Sequence, residues 1–274
     1  MSALRSPLPG FGLTLGITLA WLAWVVLIPI GALLLKAAGM GPAEFAAVAF
    51  SPRALAAYRL SFGTAALAAI ANAVIGLLVA WVLVRYPFPL KRFCSALVDL
   101  PFALPTAVAG IALTALYAPG GWLGQPLGLL GVQIAYTPTG IVLALMFVGL
   151  PFVVRTVEPV LADLGSEPEE AAAMLGAGRA RTFLRVTLPA ITPALVTGTG
   201  LAFARGVGEY GSVIFIAGNM PRRTEIAPLL VVTQLEQYAY EAATAIAVVM
   251  MATSFTVLLA LNAWQVRRRR RLGE

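Results

Sequence analysis

The passage Glu170 to Pro189, EAAAMLGAGRARTFLRVTLP, is a charged interruption in an otherwise apolar chain. Arg179, Arg181 and Arg185 lie two to four residues apart, so a helix clusters them. Met174, Leu175, Phe183 and Val186 supply apolar contacts beside them. Pro189 has no backbone N–H to donate and is expected to close the element. Cations mixed with apolar side chains suit a docking surface better than an active site.

The spacing E-A-A, three residues, G, nine residues, I, one residue, L-P resembles the EAA loop of bacterial ABC importer permeases. Glu170, Ala171, Ala172, Gly176, Leu188 and Pro189 match it in register, and Val186 stands where Ile is usual. The resemblance implies a short cytoplasmic coupling helix that seats in a cleft of an ATP-binding subunit and receives its ATP-driven closure. Ala171, Ala172 and Gly176 are small enough for a partner backbone to approach, and Gly176 can form the bend between two helical pieces. An ordinary loop between membrane helices is the competing reading. It explains neither the spacing nor the exposed apolar residues.

Composition points the same way. Of 274 residues, 60% are hydrophobic and 11% charged, which places the chain in a membrane. Cys94 is the single cysteine, so no intramolecular disulfide forms. Histidine is absent, which removes Ser/His/Asp triads and the commonest metal ligand. The net charge of +7 owes much to Arg267–Arg271 beside the last apolar run, a membrane-flanking anchor and not a nucleic-acid site. No Walker A pattern occurs, so ATP chemistry belongs to another chain. No metal site and no catalytic residue is expected here, and no cofactor either; the resemblance leaves ATP and Mg to a partner ATPase.

Hydropathy predicts an all-α, six-span protein. Phe11–Leu35 carries no charge and is long enough to cross a bilayer. It reads as a retained span, because the apolar core of a cleavable signal peptide is shorter and Arg5 alone makes a poor leader. Residues 36–57 read as a loop, with Ser51-Pro52 capping a short helix. Leu60–Val84 is the second span. Within it Asn72 and Gly76 share a face, which packs against a neighbouring helix or places Asn72 on a pore wall.

The third span is placed near Val98–Tyr117 and the fourth near Pro138–Val154, divided by a glycine- and proline-rich stretch. Pro101 and Pro105 kink the third. Phe102, Pro105 and Thr106 there line a gate or pathway, or belong to a packed kink. The fifth span, near Ala190–Ala217, holds Arg205 and Glu209 at i, i+4. That pair either fixes helix packing or meets an anion in the pathway. Ile226, Leu229, Leu230 and Val232 suggest an amphipathic helix on the outer surface. Ala242–Val266 is the sixth span.

With the N-terminus inside, thirteen Lys and Arg fall on the cytoplasmic side and five, Lys36, Arg53, Arg59, Arg222 and Arg223, outside. That asymmetry independently puts the EAA loop in the cytoplasm, with both termini. The domain plan is an N-terminal helix and outer loop over 1–57, a permease core over 58–266 with its coupling loop at 158–189, and a basic tail over 267–274. No internal repeat is evident, which gives an inverted-repeat carrier no support.

Asp99–Gly110 (DLPFALPTAVAG), Leu150–Leu161 (LPFVVRTVEPVL) and Ile214–Asn219 (IFIAGN) are similar to sulfate/thiosulfate importer permeases of the T type. Gly206–Gly211 (GVGEYG) is close to a pattern that molybdate permeases share. The resemblance implies a bacterial inner-membrane heterodimer with a W-type permease, two ATP-binding subunits and a periplasmic sulfate/thiosulfate-binding protein. Membrane lipid is the remaining partner and nucleic acid is not one. Molybdate or tungstate import is the alternative cargo, and an ATP-independent anion carrier the alternative mechanism.

Overall fold

Pro52 and Pro138 stand in the first turn of two of the long helices, where their missing N–H costs nothing. The structure, a computed structural model, describes residues 10–272, and among these the regular elements are all helical. They are α1 (Phe11–Ala38), α2 (Pro42–Ala49), α3 (Pro52–Arg85), α4 (Lys91–Ala103), α5 (Thr106–Tyr117) and α6 (Gly124–Leu129), followed by α7 (Pro138–Asp163), α8 (Glu167–Met174), α9 (Arg179–Val207), α10 (Val213–Ile216), α11 (Ala227–Glu236) and α12 (Tyr240–Leu272). Arg5 and the side chains of Arg267–Arg271 lie outside the described residues.

Helices α1, α3, α7, α9 and α12 are long and apolar enough to cross a membrane, and α4 with α5 makes a sixth if the bent pair counts as one span. The outward faces are strongly apolar: Ile70, Val74 and Leu78 are each more than 60% exposed. Such a surface is costly in water and ordinary in hydrocarbon.

The centre of the molecule is α7, which packs between α3 and α9. Ile141, Ala144, Leu145, Val153, Val154, Val157 and Leu161 are all buried there. Close contact depends on three glycines. A Cβ on Gly76 of α3 would come within 2.8 Å of Val153, and one on Gly198 of α9 within 2.9 Å of the Val153 Cα. On α7 itself, a Cβ at Gly149 would sit 2.7 Å from the Asn72 amide nitrogen. Small residues thus let three helix backbones converge, as membrane helices require when no hydrophobic force draws them together.

Several expectations need correction. The third span is not a kinked helix: α4 and α5 differ in direction by 112°. Leu104 adopts φ −87, ψ 135, the extended conformation imposed by a following proline. Pro101, by contrast, stays inside α4. The second span begins at Pro52, capped by the Ser51 hydroxyl accepting from Ala54 N–H at 3.3 Å. The expected loop before it contains α2, whose end packs with Met40 and Ala245. The fourth span runs on to Asp163 and includes Arg155, while the fifth stops at Val207.

Pro189 does not end its element. Helix α9 passes through it, preceded by a π turn at Phe183–Thr187 in which Leu188 N–H reaches Phe183 C=O. The wider turn absorbs the altered hydrogen-bond register around the proline. The supposed surface helix is also a core element. Ile226, Leu229 and Leu230 are buried and Val232 is partly buried. Helix α11 is held down because Ala227 N–H donates to Ser61 Oγ at 2.8 Å and Arg53 makes a two-pronged contact with buried Glu225 at 2.8 and 2.6 Å.

Candidate functional site

The segment after α7 is built from a short helix and a reversal. Ser166 Oγ donates to Glu170 Oε1 at 2.6 Å at the start of α8. At the other end Gly176 has φ +79, while Gly176 N–H reaches Ala173 C=O at 2.9 Å and Ala177 N–H reaches Ala172 C=O at 3.0 Å. These two bonds define a Schellman stop, whose left-handed position favours glycine. Nothing lies within 4 Å of a Cβ placed there, so backbone conformation and not space selects the residue.

Beyond that reversal α9 begins. Met174 and Leu175 are each 89% exposed at the tip, and Glu170, Ala171 and Pro189 are exposed as well. Ala172, Val186 and Leu188 are half-buried, with Leu188 packed toward Ile191. The quoted passage therefore divides its labour. One side grips the helical body and the α8 tip presents apolar side chains outward.

The grip comes from residues that the spacing did not reveal. Arg85, the last residue of α3, donates through Nη2 to Glu169 Oε1 at 2.7 Å and to Gly165 C=O at 2.7 Å. Thr187 Oγ1 donates to the same Glu169 oxygen at 3.1 Å. The Arg85 guanidinium also lies 5.5 Å from the Trp81 ring, which meets Phe183 edge-on at 5.4 Å. In sequence, Arg85 is only the cation ending an apolar run.

A second cluster forms where α5 meets the turn after α9. A Cβ on Gly211 would collide with the Thr106 side chain, and one on Gly110 with the Ser212 backbone. Two stretches noted separately in the sequence are thus in direct contact. Glu209, 2% exposed, accepts from Ser212 N–H at 3.0 Å and Ser212 Oγ at 3.1 Å, and pairs with Arg205 at 2.8 Å. The expected i, i+4 pair is present, although Glu209 sits in the turn beyond the helix. Arg205 remains 38% exposed, so its guanidinium is the accessible member.

Phe102 is 56% exposed and meets Phe152 edge-on at 5.2 Å; Pro105 is exposed and Thr106 half-buried. Asn72 lies in the packed seam, 1% exposed, donating to Met146 C=O at 3.1 Å. Arg155 fastens α4 to α7, reaching Asp99 at 2.7 and 2.6 Å and Ser95 C=O at 2.7 Å.

Comparison with known proteins gives this arrangement a context. Residues 72–271 match the family described as "Binding-protein-dependent transport system inner membrane component". The chain belongs to that family. The permease is 46% identical over 268 residues to the sulfate transport system permease protein CysT of Escherichia coli (strain K12), covering 98% of this chain and 97% of that one. It is 48% identical to CysT of Synechocystis over 254 residues, covering 93% of this chain and 89% of the relative. A probable sulfate transport permease of Nephroselmis olivacea is 49% identical over 257 residues, covering 94% and 90%.

Among solved structures, a bacterial ABC transporter involved in import of the acidic polysaccharide alginate superposes with TM-score 0.76 at 16% identity, covering 93% of the permease and 94% of that chain. An amino acid ABC transporter gives 0.57 at 19% identity, covering 80% and 95%. These likenesses establish the fold, an ABC importer permease. The permease is a multi-pass membrane protein.

Proposed function

We propose that this permease is a transmembrane subunit of an ATP-driven importer that carries sulfate, with thiosulfate as a related cargo, into the bacterial cytoplasm. The observation that carries the reading is identity of 46% and above to sulfate transport permeases across nearly the whole chain. The exposed Met174–Leu175 tip supports a coupling role for Glu170–Pro189. In this reading α8 seats on an ATP-binding subunit, and ATP with Mg is bound and hydrolysed there. A W-type second permease, two ATP-binding subunits and a periplasmic sulfate/thiosulfate-binding protein complete the assembly. Both termini and α8 face the cytoplasm, as the Lys and Arg distribution favours.

This division of labour suits a dianion. Desolvation of sulfate is costly, so a soluble receptor supplies dense hydrogen bonds while the membrane path needs weak sites that release it. Arg205 offers such a site, its charge moderated by Glu209.

ATP-dependent uptake of labelled sulfate into vesicles holding the permease, its partner subunits and the receptor tests the reading, with molybdate as competitor. Sulfate uptake that resists molybdate and is lost in Leu175→Asp is expected. Molybdate uptake instead would replace the cargo, and transport without the ATP-binding subunit would overturn the mechanism.

A further inference from the structure

An apolar groove follows the seam between α3 and α9. Its part nearer the α3 start, about 480 Å³, is walled by Ala66, Ala69, Ala73, Gly200 and Phe203. The part nearer the α3 end, about 520 Å³, is walled by Ala73, Val74, Leu77, Leu78, Trp81 and Phe183. The two share Ala73 and Leu195. At Trp81 and Phe183 the groove meets a polar pocket of about 500 Å³ that holds Arg85, Tyr86, Glu169 and Arg179.

The two halves differ in what they accommodate. Glu169 neutralises Arg85, whereas Arg179 has no carboxylate partner among the described residues, so the pocket keeps an uncompensated positive charge. From Ala66 to Trp81 the groove follows α3 for about 22 Å, longer than the roughly 15 Å half-thickness of a bilayer core. Its wall near the pocket is made of large side chains, where a packed membrane helix needs small ones for close approach. A flexible hydrocarbon chain can conform to such a wall.

We propose that the groove binds an acyl chain of an anionic phospholipid whose phosphate sits beside Arg179, with Trp81 at headgroup level. Apolar lining, a terminal cation and an interfacial indole match the three zones of such a lipid. The site lies between the end of α3 and the start of α9, so the lipid braces the ion-paired base of α8. The inference concerns a ligand other than the transported one, and requires only that the Arg85 end of α3 meets a headgroup layer.

The assembled transporter, placed in nanodiscs of phosphatidylglycerol and phosphatidylcholine and then released, is examined by native mass spectrometry for retained lipid. Phosphatidylglycerol is expected to be enriched, and Arg179→Gln to lower that enrichment about fivefold, the worth of one cation near an anionic surface. Val74→Trp fills the groove from a 68% exposed position and is expected to reduce retention of both lipids; Leu78→Trp serves where that variant fails to assemble. Glycerol phosphate is expected to displace nothing. Unchanged enrichment in Arg179→Gln, displacement by glycerol phosphate, or efficient disulfide trapping of Val74→Cys against a partner permease would each overturn the acyl-chain site.

Discussion

Arg85 and Glu169, 84 positions apart in the chain, meet at 2.7 Å and are 15% and 23% exposed. This pair ties α3 to the base of α8, and Glu169 also accepts from Thr187 in the first turns of α9. A force applied at Met174 and Leu175 therefore reaches two membrane helices at once.

Glu169→Ala is expected to leave Arg85 largely buried without its carboxylate and to cost about 3 kcal/mol of local stability. ATP hydrolysis by the assembled complex should persist while sulfate uptake drops by more than tenfold. Exchange of the two charges, Arg85→Glu with Glu169→Arg, should restore part of the uptake. Parallel losses of hydrolysis and uptake would contradict a linking role.

Gly176 offers a separate handle on the same segment. Its positive φ makes Gly176→Ala cost roughly 1–2 kcal/mol, although the site has ample space. Gly176→Asn should be tolerated better, since asparagine enters the left-handed region more readily. Uptake measured on glycine, asparagine and alanine variants should fall in that order.

The contact between α5 and the turn after α9 is sensitive to volume. Gly211→Ala or Gly110→Ala introduces a methyl group into occupied space and should destabilise by about 1–3 kcal/mol or more. Thr106→Ala, which removes the hydroxyl oxygen facing Gly211, should recover part of the Gly211→Ala loss. Thermal denaturation of the purified assembly reads both effects, and additivity in the double variant would contradict direct contact.

Arg205 and Glu209 separate structure from transport in a fourth experiment. Arg205→Gln leaves buried Glu209 without its cation and should cost about 3–5 kcal/mol. Arg205→Gln with Glu209→Gln removes both charges and should recover stability while uptake stays low, because the cargo then meets no cation. Uptake that returned together with stability would make the pair a packing device alone.

Much of this molecule was legible from spacing and hydropathy. The apolar runs located the principal spans because a bilayer demands about twenty consecutive apolar residues per helix. The EAA register located the protruding segment, and Gly176 declared its reversal, since both depend on residues near one another in the chain. Pro105 announced a break and understated it: local rules gave a kink, whereas the direction taken by α5 depends on where its glycine face finds a partner.

Other features were decided only by tertiary packing. Nothing local indicates that Thr106 lies against Gly211, that Asn72 reaches Met146, or that α11 is buried under the Arg53–Glu225 pair. Helix α11 shows an amphipathic pattern that fits a membrane surface and a protein core equally well, because lipid and core are both apolar. The sequence by itself determined the run of apolar segments and the reversal at Gly176, because both depend on residues near one another in the chain. The tertiary structure decided which faces meet, because those contacts depend on the rotation and close approach of helices that hydropathy treats as independent cylinders.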